Sequence, residues 1–241
     1  MHLSREAYAS ELVRFRSTGN IAITESEIDS AFDVPNEWRD AVADAGRGQA
    51  LLDLWGPLLK RLPNVESFLT VNLQQPAILN EDGGDVLLLY PYTIDDGDDL
   101  SFFRGHLPLE GSIIPSDMPL WNILPGDLQY FYQRIHNGWT FFPANSMGPL
   151  PIGDFELLSK KLDFEEDELR QMPIDPEQVL PVFHNGAGDY LCLDLSRSQG
   201  DGAAAGLIWW HENPVELEVV DFWGVMDAWI GIFLEEADRR T

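Results

Sequence analysis

Apolar side chains recur along this chain with two different periods, and the change of period divides it. The first third is spaced for helices. Tyr8, Leu12 and Phe15 fall at i, i+4 and i+7, one helical face. Thr24-Glu25-Ser26-Glu27 is a capping box, a hydroxyl followed three residues later by a carboxylate, and Ile28, Ala31 and Phe32 extend it as a helical stripe. Pro35 can open a further helix, with Trp38, Ala41, Val42 and Ala45 on one face and Gly46 as its stop. Leu51, Trp55, Leu58 and Leu62 mark another, with a kink expected near Gly56-Pro57.

The period then shortens. Phe68 to Leu73 and Val86 to Tyr90 are expected strands, separated by the turn-forming run Asn80-Glu81-Asp82-Gly83-Gly84. Pro108 to Pro125 is a candidate boundary or long connection. It is not a flexible linker, because Ile113, Ile114, Met118, Leu120, Trp121 and Ile123 call for burial. Beyond it, Asp127 can cap a helix carrying Leu128, Phe131, Tyr132 and Ile135. Asn137-Gly138 should end that helix, and Trp139, Phe141 and Phe142 look strand-like. An acidic helical stretch spans Asp163 to Met172. Val179 to His184 and Tyr190 to Leu195 are expected to pair around Asn185-Gly186-Ala187-Gly188, and Leu207 to His211 adds a third strand. Phe222, Val225, Met226, Trp229 and Phe233 place an apolar stripe on a long final helix.

Charge changes the picture most. The 241 residues include 41 Asp and Glu against 15 Lys and Arg, a net charge of -26, shared almost evenly between the two halves. With 44% hydrophobic residues, this describes a folded body with an acidic skin. Such a skin repels nucleic acid and anionic lipid heads and attracts basic partners. Solubility or adaptation to high salt would produce the same excess. The most one-sided stretch runs from Leu62 to Gln133, where Arg104 is the only Lys or Arg. No apolar run approaches the roughly 20 residues that span a bilayer, and no secretory signal opens the chain, so a cytoplasmic protein is expected. The single Cys192 rules out an internal disulfide framework.

The second half carries a family likeness. Leu124-Pro125 precedes the aromatic helix Tyr130-Phe131-Tyr132, which runs into His136-Asn137-Gly138. Gly186-Ala187-Gly188-Asp189-Tyr190-Leu191-Cys192-Leu193-Asp194 is a turn plus a Cys-Leu-Asp strand. A Gly-rich loop to Gly206, the Leu207 to His211 strand and an amphipathic helix follow. In this order the features resemble the SUKH superfamily, the group related to a fungal cell-wall assembly regulator, over roughly residues 118–240. The resemblance implies an α+β fold, a single mostly antiparallel sheet flanked by helices, here with a helical N-terminal extension. It also implies two regions: residues 1–115 as an extension or separate module with helices and strands, and residues 116–241 as the SUKH-like domain. Asn137, Gly138, Cys192 and Asp194 match family positions of structural character. Most bacterial members are immunity proteins that bind and block a cognate toxin. The implied function is neutralisation of a toxin that acts on nucleic acid or another anionic substrate, by covering its active site. A non-catalytic scaffold or regulator, like the fungal relative, is the alternative.

Chemistry-bearing residues add little that is catalytic. There is no nucleophile elbow, P-loop or dinucleotide fingerprint, and the five histidines lack metal-motif spacing. No catalytic residue, cofactor or metal is therefore expected, and the chain is not expected to be an enzyme; a hydrolase or transferase site assembled from scattered carboxylates is the third reading. Cys192 alternates with Leu191 and Leu193 in a strand, as a buried structural thiol does. His136 is expected to end its helix, where a cation is favourable. Candidate toxin-binding acids are Asp95, Asp96, Asp98 and Asp99, together with Glu165, Glu166, Asp167 and Glu168. The partner they imply is a toxin domain with a basic surface, with neither nucleic acid nor membrane as partner.

Overall fold

The computed structural model describes residues 3–28, 32–44, 48–109, 120–142, 144–162, 164–197 and 204–239. Of the expected positions, Ala31, Ala45, Gly46, Ile113, Ile114, Met118, Asp163 and the start of the Gly200 to Gly206 loop lie outside the described residues.

The chain opens with α1 (Arg5–Arg14), whose Ser4 side chain accepts from the Ala7 N–H. Tyr8 and Leu12 are its buried residues. After β1 (Gly19–Ala22), the capping box at Thr24 is present but leads only into a single 3-10 turn, Glu25–Glu27. Then come α2 (Asn36–Ala43), α3 (Gln49–Leu59, with Pro57 inside it) and α4 (Pro63–Ser67). Pro63 suits the first helical position because its missing N–H would be unpaired there anyway.

Phe68 to Leu73, expected as a strand, continues α4 as a π turn over Phe68–Asn72. The Leu73 N–H donates to the Phe68 carbonyl at 2.9 Å, five residues back. In that geometry Phe68, Leu69 and Leu73 are all buried on the helix side of the core.

Three strands follow: β2 (Ala77–Glu81), β3 (Val86–Ile94) and β4 (Asp99–His106). In the second half, α5 (Gly126–Tyr130) again passes into a π turn, Phe131–Ile135. Asp127 does not cap α5, because Pro125 holds that position; its carboxylate pairs with Arg61 at 2.6 Å. Next are β5 (Trp139–Phe141), β6 (Gly148–Pro149), α6 (Leu158–Lys161), α7 (Glu166–Gln171), β7 (Val179–His184), β8 (Tyr190–Asp194), β9 (Ala205–Trp209), β10 (Leu217–Asp221) and α8 (Phe222–Leu234).

The α+β class holds, but the expected single sheet is two. Both are antiparallel meanders of five strands in chain order, β1 to β5 and β6 to β10. They part between β5 and β6, where Asn145 (φ 48°) and Met147 (φ 62°) take left-handed backbone angles. The turn they form leaves one isolated bridge, Phe141 to Ser146, before β6 departs to pair with β7. The sheets stay close there: a Cβ on Gly148 would lie 1.9 Å from the Trp139 carbonyl oxygen.

One core spans both sheets. Leu88, Tyr90, Phe103 and Trp139 of the first sheet share it with Leu180, Phe183, Leu191 and Ile208 of the second, beneath residues of α2, α3, α4, α5 and α8. The opposite face of the first sheet is covered by α1 through Tyr8 and Leu12. The opposite face of the second is covered by Leu158, Leu162, Phe164 and Met172.

Candidate interaction surface

The two acidic clusters are similar in sequence and differ in chemistry. Asp95 to Asp99 forms the exposed turn between β3 and β4. Asp95 and Asp96 hold φ near 56° and 57°, and Gly97 holds 90°. Asp tolerates this left-handed region better than most side chains do. What fixes the turn is another acid: the Asp238 carboxylate accepts from the Asp96 N–H at 3.3 Å and the Gly97 N–H at 2.7 Å. The Asp238 N–H in turn donates to the Thr93 carbonyl at 2.7 Å. Among the described residues, no Lys, Arg or His forms an ion pair with Asp95, Asp96, Asp98 or Asp99.

Glu165 to Glu168 is occupied locally. Glu165 is the N-cap of α7, and Glu168 folds back to accept the Glu165 N–H at 2.8 Å. Arg170 takes Glu166 and Asp167 at 2.8 Å each. These exposed pairs contribute little stability, but they place a cation among the acids. The structure brings together the four acids within each cluster. It gives no contact between one cluster and the other.

A third acidic feature escaped the sequence reading. Glu37, Asp40, Asp44 and Asp53, with Arg134 and Tyr130, line an open cleft of about 690 Å³ between α2, α3 and the α5 segment. Asp44 accepts from the Gln49 N–H at 2.8 Å and Asp53 from the Gln49 side chain at 2.8 Å. Residues 37, 40 and 44 recur at helical spacing opposite buried Trp38, Ala41 and Val42, so a charge-periodicity scan of α2 would have found three of the four.

The buried polar groups are arranged to be held still. Trp55 Nε1–H donates to Tyr90 Oη at 3.1 Å, and Tyr90 Oη lies 2.6 Å from His136 Nε2. His136 Nδ1 is 3.2 Å from the His106 carbonyl oxygen. The tautomer that satisfies every group has the proton on Nδ1, donated to that carbonyl, and Nε2 accepting from Tyr90. Burial pushes His136 down to about 3, so it is neutral at pH 7, not the helix-ending cation expected from sequence. It does sit just past the π turn, its N–H donating to the Phe131 carbonyl. Burial likewise raises Tyr90 far above the usual phenol range. The relay therefore has no group that titrates near neutrality. It ties α3 and β3 to the end of the α5 segment.

The positions matched to the family are structural in their contacts. The Asn137 side chain accepts from the Ile152 N–H at 2.9 Å, and Gly138 (φ 92°) packs where a Cβ would meet Pro151 N at 2.5 Å. Cys192 is fully buried, which drives its thiol up and keeps it protonated. Asp194 is buried and accepts from Ser196. Among the described residues no three His, Cys, Asp or Glu side chains group as metal ligands, and no helix is long and apolar enough to cross a membrane.

Fold and surface together define an acidic α+β protein, two meanders on one shared core with unpaired carboxylates at a hairpin tip. Residues 120–229 match the SMI1 / KNR4 family (SUKH-1), and this region of the chain belongs to the SUKH superfamily. Neither a curated protein nor a solved structure matches the chain.

Proposed function

We propose that this chain is a non-catalytic, cytoplasmic immunity protein that binds a toxin domain with a basic surface and covers its active site. The family match over residues 120–229 carries the reading. The net charge of -26 supports it, because a toxin acting on an anionic substrate presents Lys and Arg to be covered. The carboxylates at Asp95 to Asp99, without an ion pair among the described residues, support it too, whereas Glu166 and Asp167 already hold Arg170. In this reading residues 1–115 extend the SUKH-like region of residues 116–241; the support is β4, which pairs with β5 from beyond that boundary. Charge complementarity chiefly speeds encounter, and a few buried apolar anchors set residence time.

The test is co-expression with the toxin encoded beside this gene. Restored growth and a complex at micromolar concentration are expected. Continued killing with no complex overturns the proposal. A regulator of a cellular protein, the alternative reading, would leave toxicity unchanged.

A further inference from the structure

Helix α8 is apolar on every side. Of its residues, FWGVMDAWIGIFL, only Asp227 carries charge, and Asp227 is buried. Its carboxylate accepts from the Asn64 N–H at 2.9 Å and, more weakly, from the Val65 N–H at 3.4 Å, capping α4 from across the fold. A helix apolar all round belongs in an interior. Yet α8 is only half covered: Phe222, Trp223, Met226 and Ile230 face the core, while Gly224, Ala228 and Ile232 are exposed. Ile232 keeps 61% of its surface. Trp229 and Phe233, on the flanks of this stripe, are half-buried against Phe183 and Phe141.

The surroundings of the stripe are acidic at both ends. Glu218 and Asp221 are exposed where α8 begins, and Glu235 and Glu236 where it ends. Just beyond, Asp238 fastens the Asp95 to Asp99 turn beside the helix terminus. No Lys or Arg occurs between Arg197 and Arg239 in the sequence. Arg61 lies over the Trp223 ring at 5.8 Å, on the core side of α8, and is paired with Asp127; Arg239 is the one cation at the C-terminal end of the rim among the described residues. An apolar centre inside a charged rim is the anatomy of a protein interface. The sign of the rim selects the occupant. A second copy would bring the same acids to the same rim, and anionic lipid heads would be repelled. A basic protein meets both parts.

We propose that the exposed face of α8, with the Asp95 to Asp99 turn at its C-terminal end, is the docking surface for the basic partner, which seats an aliphatic or aromatic side chain on Ala228 and Ile232 between Lys and Arg residues. This rests on the immunity reading and names the surface that reading uses. The two parts of the surface act on different rates. The apolar seat holds the complex together and the acidic turn accelerates its formation.

The probe is the toxin domain encoded beside this gene, with association and dissociation followed separately. Ile232→Glu is expected to weaken binding at least tenfold, mainly through faster dissociation. The fourfold change Asp95→Asn, Asp96→Asn, Asp98→Asn and Asp99→Asn is expected to slow association several-fold in low salt and to match the unaltered protein in high salt. Asn keeps the left-handed turn accessible. Glu166→Gln with Asp167→Asn is expected to change neither rate. Should Ile232→Glu fail to fold, Ala228→Glu reads the same seat. Binding within twofold of the unaltered protein for both the seat and turn variants overturns this surface and leaves the immunity reading standing. Failure of the unaltered protein to bind overturns both. Dimerisation of this chain, or binding to uncharged vesicles, that Ile232→Glu abolishes assigns the face to a second copy or a membrane and overturns the proposal.

Discussion

The two sheets have the same topology and different cover. Each is a five-stranded meander with one face in the shared core. The first is sealed on its other face by α1, a helix from the start of the chain. The second lies wholly within the family-matched residues, and so does its outer cover: Leu158, Phe164 and Met172 come from the short α6–α7 segment between β6 and β7. What joins the sheets is the shared apolar core and the close approach of Gly148 to Trp139. The Trp55–Tyr90–His136 relay and the Asp227 cap both link the first part of the chain to the second. Similar meanders can thus be closed locally on their outer faces and still depend on each other through one apolar core.

The sharpest way to break that dependence is Gly105→Ala. A Cβ at Gly105 would lie 2.2 Å from His136 Nδ1, inside a core where Trp38, Trp55 and Tyr90 crowd the imidazole. Overpacking of this kind costs about 3 kcal/mol. Chemical denaturation is expected to show that loss, with near-ultraviolet circular dichroism changed for both halves together. A change confined to one half would mean that the shared core does not couple the two sheets.

Acid is expected to act next. The unfolded imidazole takes a proton near its ordinary 6.5, the folded one only near about 3. In that window the unfolded chain binds more protons, so the contribution of His136 to stability falls as pH drops from about 6.5. The limiting slope for one group is about 1.4 kcal/mol per pH unit. Carboxylates lose charge at lower pH and relieve self-repulsion, so pH 7 to 5 is the useful interval. The stability difference between the unaltered protein and His136→Gln should narrow across it; a constant difference would show that His136 is not held neutral by the fold.

Asp227→Ala removes the cap on α4 and leaves the Asn64 and Val65 N–H groups without their acceptor. The expected loss is about 1 kcal/mol, read as a lower denaturation midpoint with an unchanged slope. Asp238→Ala is the mildest. It frees the Asp96 and Gly97 N–H groups to water at an exposed turn. A loss of about 0.5 kcal/mol is expected, with faster amide exchange confined to residues near 95–99. Faster exchange throughout the first sheet would show that the tail does more than hold a turn.

Much of the fold was legible where pattern and packing agree. The stripe Tyr8-Leu12, the strand Val86 to Tyr90 and the hairpin around Asn185 to Gly188 all stand in the structure. Phe68 to Leu73 misled because aromatic and β-branched residues argue for a strand, while Pro63 had already started a helix. Phe68 and Leu73, five positions apart, were the trace of the π turn. β1, β2, β4, β6 and β10 are not among the expected strands; β1 and β10 are short edge strands with weak alternation, and Asn80-Glu81, expected in a turn, ends β2. In the candidate surface, exposure of the acids followed from their type. Arg170 lies three and four positions past Asp167 and Glu166, so its neutralising role was readable from helical spacing. The hold of Asp238 on the Asp95 turn was not, because nothing local records a contact between positions so far apart in the chain.

Helix α8 gives the protein an order of manufacture. Both meanders precede it, and the ribosome releases residues 222–234 only after every strand has been made. Until then the core faces of Leu193 and Ile208 lack Phe222 and Met226, and α4 lacks its cap. Domains tend to fold as they emerge, amino-terminal parts first. Here that habit yields an unfinished body that waits for its closing segment. During that interval a net charge of -26 sets up repulsion between neighbouring chains, which opposes contact between their bare apolar faces.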